Sequence, residues 1–146
     1  MTNRADGEWS FGMFDGLVTV AGLVIGLLHA GVSPAAIAAG AVGVAVASMV
    51  SMGAGEWLGD SDSSVSAGLV MAAATAVGTM AVAAPYMILD RGAATVTAVG
   101  VVIAVAAFIA ELRTRGRPNE SRLRSNVETF ACLFIALAAT VLVTAI

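Results

Sequence analysis

The stretch Gly16–Gly55, GLVTVAGLVIGLLHAGVSPAAIAAGAVGVAVASMVSMGAG, contains no Asp, Glu, Lys or Arg. Crossing about 30 Å of hydrocarbon takes roughly 20 helical residues, so this run is long enough for two spans. His29-Ala-Gly-Val-Ser-Pro34 divides it, and the proline suits the first turn of a second helix. The apolar character is continuous, whereas a transmembrane barrel needs short segments of alternating polarity. Two adjacent membrane helices are therefore the reading from which the rest follows.

Three more charge-free intervals lie downstream: between Asp62 and Asp90, between Arg91 and Glu111, and after Glu128. Each holds one span. The expected fold is an all-α bundle of five transmembrane helices, about 10–30, 34–58, 65–89, 92–112 and 125–146, in one integral membrane domain over residues 1–146. Composition agrees. Of the 146 residues, 59% are hydrophobic and only 12% charged, against about 25% in soluble domains. That leaves too little polar surface for a water-facing globule and excludes a soluble enzyme or a disordered tail. Cys132 is the sole cysteine, which excludes a disulfide scaffold. No nucleophile–base–orienter set, phosphate loop or Cys/His cluster supports catalysis, and no basic patch with interleaved aromatics supports nucleic-acid binding. Asp6 and Glu8 beside a single Arg4 do not resemble the start of a cleavable signal peptide.

All seven basic residues are arginines, and five of them (Arg113, Arg115, Arg117, Arg122 and Arg124) fall in the connection between the fourth and fifth spans. The positive-inside rule places that loop in the cytoplasm. The N-terminus, with Arg4, is then expected inside and the C-terminus outside, and only Arg91 faces out. Arginine without lysine in an Ala/Gly/Val-rich chain suggests a bacterial plasma membrane.

Small residues recur at the spacing that lets membrane helices approach closely: Gly12 and Gly16, Gly22 and Gly26, then Gly55 and Gly59. They serve packing within one chain or a subunit seam. Five helices make a thin bundle for a closed permeation path, so a symmetric homodimer with the first helix at the seam is expected.

Three features could carry chemistry. Asp15 lies early in the first span, and a carboxylate there is either an intramembrane functional group or an interfacial residue favoured by the helix dipole. Met49, Met52 and Glu56 share one face of the second span by offsets of three and seven. Thioether with carboxylate suits a borderline transition cation, while the plainer reading is gap-filling methionines and a helix-end glutamate. Glu128 and Glu111 flank the arginine loop and read as salt-bridge partners of Arg113 or Arg124. His29 reads as a wet interfacial group. Trp9, Trp57 and Tyr86 read as aromatic anchors near span ends, and Pro85-Tyr86 as a stop or kink in the third helix.

FDGLVTVAGLVIGL (14–27), SMVSMGAGEWLGD (48–60) and the Pro85-Tyr86 ending together resemble the vacuolar iron transporter family. The aspartate-glycine of the first span and the SMxxGE(Y/W) element of the second are its most specific marks. The resemblance covers nearly the whole chain, closely in the first two helices and generically in the last two. It implies proton-coupled export of ferrous iron or manganese from the cytosol by a homodimer with the path between subunits. No tightly bound cofactor is expected, and the divalent metal is cargo. By correspondence, Asp15, Met52 and Glu56 match the family's first-span aspartate, SM methionine and glutamate. Carboxylates that exchange protons for metal fit antiport, and the methionine tunes against hard ions such as Mg²⁺.

Two departures stand out. The metal-collecting insertion that many members carry between helices 2 and 3 shrinks here to about GDSDSS, where Asp60 and Asp62 form a small acidic pair. Val44 occupies the position of a further second-helix glutamate. The alternative is thus a non-transporting membrane assembly or interaction protein of the same fold.

Overall fold

The computed structural model describes residues 2–59, 64–116 and 122–144, with side chains placed for 7–59, 64–114 and 123–144. The helices are α1 (Thr2–His29), α2 (Pro34–Gly59), α3 (Val65–Ala83), α4 (Pro85–Ile88), α5 (Arg91–Gly116) and α6 (Arg122–Thr144). Five of them, all but α4, are long and apolar enough to cross a membrane. Asp60, Asp62 and Arg117 lie outside the described residues, as do the side chains of Arg4, Arg115 and Arg122.

The end of the bundle that carries the α1–α2 connection is called the turn end, and the opposite one the arginine end. The connection closes α1 with a Schellman motif: Gly31 takes φ +71°, its N–H donates to Leu28 O at 3.1 Å, and Val32 N–H donates to Leu27 O at 3.3 Å. Glycine is suited to this left-handed position because it has no Cβ to clash. Ser33 Oγ then accepts from Ala36 N–H and starts α2. Ser64 caps α3 in the same manner through Ala67 N–H, and Asp90 Oδ2 caps α5 by accepting from Gly92 and Ala93.

The third span is shorter than the interval 65–89 suggests. It stops at Ala83, and Pro85 opens the single turn α4. Proline cannot donate to the preceding turn, so the helix restarts there. The restart carries Tyr86 inward. Expected as an interfacial anchor, Tyr86 is instead buried, and its hydroxyl donates to Thr95 Oγ1 at 3.2 Å. Trp57 is exposed, whereas Trp9 packs on Met13, Ala74 and Ile109.

α3 is the central helix and packs closely on both α1 and α2. The α1–α3 contact is backbone on backbone. A Cβ at Gly12 would lie 2.8 Å from Met71 O, one at Gly16 would overlap Thr75 O, and one at Gly78 would overlap Met13 O. The α2–α3 contact repeats the device, Gly53 facing Gly68. Lipid offers no hydrophobic drive for helix association, so such van der Waals approach, with weak Cα–H···O contacts, supplies the cohesion.

α6 is attached differently. A Cβ added at Gly22 or Gly26 of α1 would lie 3.3 Å from Thr140 Oγ1 or 3.5 Å from Thr144 Cγ2. At the arginine end, Ser125 Oγ donates to Ala110 O, and Glu128 receives Arg113 Nη2 at 3.3 Å and Arg124 Nε at 2.8 Å. The Glu128 ion pairs read from the sequence are thus present.

Candidate functional site

The structure positions the sequence-derived residues by register. Gly40 of α2 sits against Leu23 and Leu27 of α1, level with Ile25. Both helices rise about 1.5 Å per residue and run antiparallel. Ten residues further toward the arginine end, α1 reaches Asp15 and α2 reaches Val50, between Met49 and Met52. The carboxylate and the thioethers therefore share a depth.

Asp15 is half-buried and forms no hydrogen bond or ion pair among the described residues. It precedes Gly16, whose close approach to Thr75 and Thr79 locks this part of α1 against α3. The backbone at Asp15 is consequently fixed while its side chain has no hydrogen-bond or ion-pair partner among the described residues. Such an arrangement is costly in lipid, which keeps Asp15 a candidate site residue.

On α2 the buried ridge Ala38–Ala41–Ala45 continues at offsets of three and four into Met49, Met52 and Glu56, all half-buried. The ridge loses its cover toward the arginine end, where the helix is held to α3 mainly through Gly53 and Gly68. Glu56 has an interaction within the chain. Val44 packs against the central apolar cluster with Leu17, Val20 and Ala41, so the place of the missing glutamate is occupied by core. His29 is exposed, its Nδ1 3.2 Å from Ile25 O.

Among the described residues no three His, Cys, Asp or Glu side chains converge into a metal-holding group. What the described residues present is a set spread over two helices, with Asp15, Met49 and Met52 at one depth. Two further polar groups escaped the sequence reading. Thr75 and Thr79 are fully buried in α3, where their hydroxyls donate to Met71 O at 2.9 Å and Thr75 O at 2.8 Å. Their four-residue spacing in an apolar span was the available signal. They line the groove that receives Gly16 and so position Asp15.

This is a polytopic helical membrane protein whose candidate site residues lie on its first two helices. Residues 8–64, most of α1 and all of α2, match the VIT family, which supports membership of the vacuolar iron transporter family and hence membrane transport of metal ions in general. No curated protein and no solved structure matches the chain.

Proposed function

We propose that the protein exports a divalent transition metal, Fe²⁺ or Mn²⁺, from the cytosol in exchange for protons, and that it does so as a homodimer. The observation that carries this reading is Asp15: a half-buried carboxylate without a partner among the described residues, inside a span and level with Met49 and Met52. An oxygen–sulfur set of this kind suits Fe²⁺ and Mn²⁺ better than Mg²⁺, which demands near-octahedral oxygen coordination. Asp15 and Glu56 are the proton-exchanging groups, since a carboxylate binds either a proton or a cation.

One chain brings too few ligands together, and a second copy across a two-fold axis doubles the set. Gly12 and Gly16 of α1 face α3, and Gly22 and Gly26 face α6, of the same chain. The surface best suited to a seam is instead on α2. Ala39, Gly43, Ala47, Ser51, Gly55 and Gly59 follow one another at four-residue intervals and are all exposed, and a Cβ added at Gly43, Gly55 or Gly59 would meet nothing within 4 Å among the described residues outside its own helix turn. Gly55 and Gly59 each lie three residues beyond Met52 and Glu56, so the seam borders the proposed path.

A flux assay in proteoliposomes tests the reading. The wild type is expected to move Fe²⁺ or Mn²⁺ with a proton-gradient dependence, and Asp15→Ala with Met52→Ala to lose at least about tenfold, as outer-shell changes alone cost 10–100-fold at metal sites. Flux untouched by the double change would remove the site. Val44 in the apolar core favours the second reading, an assembly protein without transport, and robust proton-dependent flux would dismiss it.

A further inference from the structure

A groove of about 380 Å³ opens between α1, α5 and α6 and extends from the turn end toward mid-bundle. That volume lies within the range of about 300–1,000 Å³ found for small-molecule sites. Its walls include Val24, Leu28, Val82, Val102 and Leu137. The two hydroxyls on it, Tyr86 and Thr95, are occupied with each other, and Thr95 also donates to Arg91 O at 2.7 Å. Nothing in the groove therefore solicits a polar guest. Its rim is exposed, with Val99 at 55%, Ile103 at 54% and Phe134 at 74% of full accessibility, so it faces the hydrocarbon sideways.

The mouth at the turn end has the opposite character. Arg91 reaches from α5 to α1, where its Nη2 donates to Leu28 O at 2.6 Å. Guanidinium carries five N–H donors, and among the described residues Arg91 has no other side-chain bond and no ion pair. Asp90, its neighbour, is turned to the α5 backbone as the helix cap. An exposed cation with spare donors thus stands directly over an apolar groove open to lipid.

We infer that the groove holds one acyl chain of an anionic phospholipid whose phosphate pairs with Arg91. The charge arrangement selects this occupant. Lipid tails are as apolar as the groove walls, so the walls alone give no preference over bulk lipid. The preference comes from the phosphate, which accepts charge-assisted hydrogen bonds from arginine, as basic pockets between membrane helices do for lipid headgroups. The assignment is independent of which ion the protein moves.

Native mass spectrometry of the detergent-purified chain, with dioleoyl phosphatidylglycerol or dioleoylglycerol added, tests it. The wild type is expected to retain the phospholipid about tenfold better than the phosphate-free lipid, the size of a lost charge-assisted bond. Arg91→Gln should erase that difference, and Val99→Trp, on the exposed rim, should lower retention of both lipids. Ile103→Trp replaces Val99→Trp if the latter departs from wild type in helix content or gel filtration. An unchanged lipid ratio in Arg91→Gln overturns the proposal, as does full retention in both tryptophan variants. Binding of glycerophosphoglycerol, which lacks tails, as strongly as the phospholipid also overturns it, because the groove would then contribute nothing. So does an inter-chain disulfide formed in membranes by Val99→Cys in a Cys132→Ser background, which would put a second copy over the groove.

Discussion

The α1–α3 seam and the α1–α6 seam use the same sequence device and differ in what it meets. On the first, Gly12 and Gly16 face backbone carbonyls, and an added methyl has nowhere to go. On the second, Gly22 and Gly26 face threonine side chains at ordinary contact distance or slightly closer. A carbonyl in a helix cannot yield without breaking its ladder, whereas a threonine can change rotamer. The first seam is therefore a rigid platform that holds Asp15, and the second is an adjustable attachment that leaves most of α6 exposed. The region matched by the VIT family includes α1 and α2, both fastened to α3 by backbone contact, and does not reach α6.

The sharpest way to break this comparison is to enlarge the glycines. Gly16→Leu is expected to destabilise the protein by about 3 kcal/mol, at the upper end of overpacking costs, read as the midpoint of unfolding in dodecyl sulfate titrations. Gly22→Leu should cost about 1 kcal/mol, because the Thr140 side chain can move. Equal costs at the two sites would remove the distinction between platform and attachment. Thr75→Val should cost less than about 0.6 kcal/mol, the mean for hydrogen bonds between membrane helices, because its hydroxyl bonds within its own helix. Gly43→Leu meets open space within the chain. It should leave unfolding of the monomer unchanged while weakening any dimer that uses α2, as gel filtration with light scattering would record. The smallest loss of stability is expected for Glu128→Gln, whose ion pairs with Arg113 and Arg124 are part-exposed. It should lower the unfolding midpoint slightly, and less at high salt, since such pairs are screened.

Much of the fold was legible in the chain. Four charge-free runs, the first long enough for two helices, mark five spans because a charge in hydrocarbon is expensive and the span length is set by the bilayer. Pro34 and Pro85 mark a helix start and a helix break because proline lacks the donor that an interior position needs. Tyr86 was misplaced for a related reason: its position near a span end suggested an anchor, but the restart at Pro85 turned it inward onto Thr95.

The candidate site was half legible. Asp15, Met49, Met52 and Glu56 could be singled out because polar or thioether groups in apolar spans are conspicuous. The common depth of Asp15, Met49 and Met52 could not, since it depends on the Gly40 contact that sets α2 against α1. Thr75 and Thr79 went unremarked because a hydroxyl that donates to its own helix looks unexceptional in sequence. Nor could glycine spacing say which neighbour each glycine meets. Small-xxx-small permits close approach without choosing a partner.

The sequence by itself therefore determined the membrane class, the number of spans and the residues able to bear chemistry, because each follows from local composition against a fixed hydrocarbon thickness. Only the tertiary structure decided that α3 is the central helix and that α1 spends its glycines inside the chain. It also decided that α2 keeps a small-residue ridge exposed and that Arg91 stands over an apolar groove. Those outcomes rest on which helices touch, and contact between distant segments is a property of the packed bundle, not of any one span.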